Sequence, residues 1–242
     1  NALYAFDWTF GTIHAIHLQR EGAGFTATSD EFISGRGMPY TAAVIGHDGA
    51  MYFLTGGRKI KSALWRVRYI GGGSTEPVAT PAAEPLTNPS LGSNDRVERY
   101  LARTRMELKG AVAFPEKPTA AWAVLQKALG LARIDAKASK ADILAMLGAL
   151  DWDSLSKQQK LTWLRAAGLA FIQGGEPTEA ERQALLGKID AAFPATDDEQ
   201  NAELCRMLCY LKAPGIVGRT LSLMDVAGPE PKPDWGALAG RN

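Results

Sequence analysis

Three cations stand close together in the first quarter of the chain: Arg36 within Ser34–Pro39, and Arg58 and Lys59 within Thr55–Ser62. Lys61 and Asp7 lie in the same set of loops. The planar fork of arginine and the ammonium of lysine suit an anionic ligand such as a carboxylate-bearing cofactor. An ordinary solvated loop is the competing reading. The other reactive side chains form no set. His14 and His17 are three apart in a β-prone run and so face opposite ways. His47 and Asp48 read as turn chemistry, and Arg66 and Arg68 as neighbours on a solvated strand face. The two cysteines, Cys205 and Cys209, share one helix face at i and i+4 and read as buried free thiols. A metal would need two more ligands there, and no histidine follows His47. No nucleophile, base and oxyanion-donor set and no paired carboxylates can be assembled, so no catalytic residue and no metal ligand is assigned.

The loops that carry the cations must be held by strands. Ala2–Phe6 and Thr12–Leu18 are short β-prone runs, and 48 residues later Ala50–Leu54 and Ala63–Tyr69 repeat the arrangement. Between the copies lie Phe25–Ile33 and Thr41–Ile45, the latter running into Gly46-His47-Asp48-Gly49, where Asp-Gly marks a tight hairpin. Four short strands at such a period predict the last one to two blades of a β-propeller. In that arrangement Asp7–Gly11, Ser34–Pro39 and Thr55–Ser62 share one rim. A small meander sheet of independent origin is the alternative.

The run Leu3-Tyr4-Ala5-Phe6-Asp7-Trp8-x-x-Gly11-x-Ile13, with Val44-Ile45-Gly46-His47-Asp48-Gly49-Ala50-Met51-Tyr52-Phe53 and Gly56-Gly57-Arg58-Lys59-x-x-Ser62-x-Leu64-x-Arg66-Val67-x-Tyr69, resembles the final blades of bacterial membrane-associated dehydrogenase-like proteins. Their propeller is similar to that of glucose/sorbosone dehydrogenases. The resemblance implies an extracytoplasmic quinoprotein that binds pyrroloquinoline quinone and calcium, oxidises a sugar or other alcohol, and passes electrons to a cytochrome c domain or partner. It implies cofactor contacts at Arg58 and, beside it, Arg36 and Lys59. The family's catalytic base would lie in earlier blades, and no Cys-x-x-Cys-His occurs to attach haem.

Residues 72–93 hold many Pro, Ala, Ser, Thr and Gly and few large apolar residues, which predicts a linker between a strand region at 1–71 and a helical region at 94–242. Capping boxes then recur: Ser139-x-x-Asp142, Ser156-x-x-Gln159, Thr178-x-x-Glu181 and Thr196-x-x-Glu199. The first and third are 39 residues apart and the second and fourth 40 apart, a spacing that predicts an α–α superhelix of HEAT or armadillo type. Further helices are expected over Asp95–Met106, Thr119–Leu131 and Ile216–Val226, with Trp122, Trp152 and Trp163 in the core. A non-repetitive helical bundle competes with this reading.

Composition bounds the function. The 242 residues are 46% apolar and 22% charged, which excludes disorder, and a net charge of +1 without a basic stripe argues against nucleic acid. No apolar run is long enough to span a membrane. The start at Asn1 and the stop after Trp235–Asn242 read as the cut ends of a longer protein, and a fragment of this kind is expected to be inactive alone. The alternative to a dehydrogenase fragment is a non-enzymatic propeller and solenoid acting as a ligand-binding or protein-interaction scaffold.

Overall fold

The computed structural model describes residues 2–57, 59–74 and 89–226. Arg58, most of the expected linker and the C-terminal segment fall outside them. The chain divides into two compact units, one carrying the strands and one the helices.

The first unit contains two three-stranded antiparallel sheets. Strands β1 (Leu3–Asp7), β2 (Thr12–Glu21) and β3 (Gly24–Ser34) form one, with Leu3 opposite Ile16 and Glu21 opposite Gly24. Strands β4 (Tyr40–Ile45), β5 (Met51–Gly57) and β6 (Ile60–Val67) form the other. This overturns the propeller expectation. A blade needs four strands, and each sheet has three among the described residues. The 48-residue sequence repeat also fails as a structural repeat: β1 pairs only with β2, whereas its counterpart β5 lies between β4 and β6. The sheet boundary falls at the turn after Ser34, where the amide of Gly35 bonds back to the carbonyl of Gly11. Gly11 is obligatory there. Its φ is +64°, and a Cβ would stand 2.4 Å from the Gly35 carbonyl oxygen.

The sheets share a small core of Ile13, Tyr40, Met51 and Phe53, edged by Tyr4, Phe6, Ile33, Met38 and Val67. Tyr40 and Phe53 meet edge to face at 5.3 Å. In β5, alternation buries Met51, Phe53 and Thr55 on one face.

The second unit contains six α-helices among the described residues. Helix α1 (Arg96–Lys109) starts where the Asp95 carboxylate accepts hydrogen bonds from the amides of Val97 and Glu98. Helix α2 (Ala121–Ala149) follows, then α3 (Lys157–Gly174), α4 (Glu179–Ile189), α5 (Asp198–Tyr210) and α6 (Ile216–Val226). Reciprocal capping boxes form at Ser156/Gln159 and Thr178/Glu181.

The other two expected boxes do not form. Ser139 lies inside α2, which runs on from Ala121 and only kinks at Asp135. The Asp135 carboxylate accepts from the amide of Ala138 and caps the second half of the helix four residues earlier than expected. At α5 the cap is Asp197, which accepts from Gln200, not Thr196. A carboxylate at an N-cap outcompetes a nearby hydroxyl because it also meets the positive end of the helix dipole. The regular 40-residue spacing therefore does not mark equivalent helix pairs, and the superhelical repeat expectation is corrected with it. The helices instead pack about one continuous apolar core that runs from Leu91 to Ile216. Helices α2 and α3 make its longest contact. Trp152 and Trp163 meet edge to face at 5.4 Å inside it. Gly130 lets Phe114 reach the core, since a Cβ there would meet the ring at 2.2 Å.

Candidate functional site

The loops that carry the expected anion site do come together. Gly35 bonds to Gly11, and the amide of Gly56 bonds to the carbonyl of Pro39. The cleft they form is about 90 Å³ and is lined by Trp8, Phe10, Met38, Pro39 and Ile60 among others, with no cation among the described residues. Arg36 and Lys59 are exposed beside it, Lys59 in the left-handed region at φ 68° at the hairpin tip. Asp7 is a turn residue, its carboxylate accepting from the amides of Thr9 and Phe10 at 2.9 Å each. The described part of this cleft is smaller than ligand pockets, which run to about 300 Å³ or more. No group of three or more His, Cys, Asp or Glu side chains that could hold a metal occurs among the described residues.

The histidines do not converge. His17 lies 3.3 Å from Asp30 on an exposed sheet face, and His14 lies across from Ala5 and Glu31. The turn residue Asp48 does more than expected. Its Oδ2 accepts from the Arg66 guanidinium (2.7 Å) and the Tyr52 hydroxyl (2.9 Å), and its Oδ1 from the amide of Ala50. Those bonds, led by that from Arg66, hold the Asp48 carboxyl down at about 2. They tie the turn between β4 and β5 to β6. The cysteines are free, but only Cys205 is half-buried; Cys209 is exposed, with the sulfurs 3.9 Å apart. This corrects the expectation of two buried thiols. Both cysteines sit one position past the Leu204/Leu208 stripe, and Cys205 is the one covered, its sulfur 3.4 Å from the Thr220 hydroxyl of α6.

Among the grooves of the helical unit, two stand out by their charged walls. One, about 510 Å³, runs between α3 and α5. Leu164, Phe171 and Met207 form its floor, and Gly168 leaves room above Met207. Ile172, 76% exposed, and Tyr210 stand at its lip. Arg165 flanks it on α3, and Glu199 and Glu203 on α5. Lys157 reaches Asp197 and Glu199, and Arg206 reaches Glu203, so the α5 flank carries partly compensated acid.

The other groove, about 500 Å³, lies between α1, α2 and α3 and is lined by Arg96, Arg99 and Arg103. Arg99 is buried, its guanidinium carbon 3.6 Å from the centroid of the Trp122 ring, and burial lowers its pKa from the ordinary arginine value. Sequence reasoning missed this groove, although its signal was present: Arg96, Arg99 and Arg103 are spaced i, i+3, i+7, the pattern of a single helix face.

Comparison of the chain with family models, with curated proteins and with solved structures finds no match. No helix among the described residues is long and apolar enough to cross a membrane.

Proposed function

We propose that the helical unit is a non-enzymatic binding scaffold whose α3–α5 groove receives an amphipathic helix of a partner protein. The observation that carries this reading is the groove itself. It has an apolar floor of Leu164, Phe171 and Met207 and an exposed apolar lip at Ile172 and Tyr210. Helix-in-groove recognition uses such a floor to take anchors at i, i+3, i+4 and i+7. The flanks define the occupant further. Arg165 on one side and Glu199 with Glu203 on the other suit a helix bearing glutamates along one border of its apolar stripe and lysines along the other.

The test is a binding titration of the full chain with a fluorescent helix-forming peptide of about 16 residues carrying leucines at that spacing, glutamates on one border and lysines on the other. Saturable binding that Ile172→Glu weakens by about tenfold or more supports the reading. Absence of binding, or equal binding to Ile172→Glu, refutes it.

A further inference from the structure

Arg99 carries a charge that the protein only partly satisfies. It is 8% exposed, stacks on Trp122 and donates one N–H to the carbonyl of Ser93 at 2.7 Å. A guanidinium has five N–H donors, and a buried charge is costly unless paired. Arg99 makes no ion pair among the described residues. Asp95, the nearest carboxylate in sequence, attracts Arg99 electrostatically without forming an ion pair with it, and has its Oδ1 on the amides of Val97 and Glu98. No acidic residue lines the groove beside Arg99 among the described residues. Arg96 and Arg103 reach it from the same helix face. Arg103 is held by Glu107 and by Gln126, but Glu107 also serves Arg133, so the cluster keeps an excess of positive charge.

A second feature points to a ligand. Gln126 is 5% exposed and lines the groove. Its Oε1 accepts from Arg103, while its amide nitrogen has no hydrogen-bond partner among the described residues. The side chain is buried but this nitrogen is not sealed off, so it is open toward the groove. Tyr100 brings an exposed ring to the same groove. Its volume of about 500 Å³ falls within the range of small-molecule sites.

We propose that this groove binds a small planar aromatic anion, a ring system bearing one phosphate or carboxylate. The anionic group pairs with Arg99 and Arg96, the ring lies against Tyr100 beside the Arg99–Trp122 stack, and the Gln126 amide donates to an acceptor on the ring edge. Phosphate and carboxylate share this chemistry and are separated by the probes. The proposal is independent of the α3–α5 groove.

The experiment is calorimetric titration of the full chain with adenosine monophosphate and with indole-3-acetate, with adenosine and inorganic phosphate as controls. Saturable binding of at least one planar anion is expected, at least about tenfold tighter than either control, and weakened about tenfold by Arg99→Gln and by Arg96→Gln. Binding of the nucleotide alone assigns a phosphate ligand, and of the acid alone a carboxylate. Arg96 is exposed, so Arg96→Gln remains decisive if Arg99→Gln does not fold. No saturable binding of either planar anion, equal binding of inorganic phosphate, or affinity unchanged in Arg96→Gln would overturn the proposal.

Discussion

Trp163 donates its indole Nε1–H to the carbonyl oxygen of Leu147 at 2.9 Å, joining α3 to the last turns of α2 through a fully buried bond. The same ring packs edge to face on Trp152 from the intervening turn. One residue thus fixes the longest helix contact and the connection between its two helices. Trp163→Phe keeps a ring but removes the donor and part of the packing. It should cost about 1–3 kcal/mol in denaturant unfolding. Trp163→Ala should cost more, about 3–5 kcal/mol.

The corrected helix starts can be tested at four positions. Ser156→Ala and Thr178→Ala each remove an N-cap and should cost about 1 kcal/mol, and Asp135→Ala should cost a similar amount at the α2 kink. Ser139→Ala should change stability by less than about 0.5 kcal/mol, because Ser139 lies within α2 and caps nothing. A Ser139→Ala cost equal to that of Ser156→Ala would restore the regular repeat.

Two helical glycines should respond with opposite signs. A Cβ at Gly130 would stand 2.2 Å from the Phe114 ring, so Gly130→Ala should destabilise by about 1–3 kcal/mol in spite of alanine's better helix propensity. Phe114→Leu should recover part of that loss in the double variant. At Gly168 a Cβ meets only the Met207 Cε at 3.8 Å, so Gly168→Ala should stabilise by up to about 1 kcal/mol. Thermal and chemical unfolding of the variants decides both.

Asp48 should make the strand unit acid-sensitive. Its carboxyl is held at about 2 by the Arg66 and Tyr52 hydrogen bonds, against about 3.9 in an unfolded chain. A depressed folded value means that the contribution is complete above about pH 4 and is lost as the pH falls toward 2. The Asp48 carboxyl resonance should therefore titrate near 2. Arg66→Gln should return that midpoint toward the ordinary aspartate value, and an unshifted midpoint in the parent protein would contradict the network.

Much of this fold could be read along the chain, because alternation and caps are local signals. All six strands and the starts of α1, α3 and α4 follow from patterns within a few residues. Which strands pair is set by tertiary contacts. The resemblance between Leu3-Tyr4-Ala5-Phe6 and Met51-Tyr52-Phe53-Leu54 therefore suggested a blade where the chain makes an edge strand and a central strand. Asp135 and Asp197 shifted two caps because each competes for its helix N-terminus with a neighbouring Ser or Thr. The sites divide in the same way. The arginine stripe of α1 was legible from spacing, but its meaning depends on Trp122 and Gln126, which a different helix supplies. The α3–α5 groove has no sequence signal, since apolar residues at helical spacing such as Phe171 and Met207 do not mark a groove until the helices are placed.

The central claim, that the α3–α5 groove takes a partner helix, is tested most directly by amide chemical-shift mapping of the full chain during titration with the amphipathic peptide. The account predicts that the resonances of Gly168, Ile172 and Met207 move in a saturable way while those of Arg96 and Tyr100 on α1 stay in place. Shifts confined to α1, or no saturable shift at the α3–α5 groove, would contradict it.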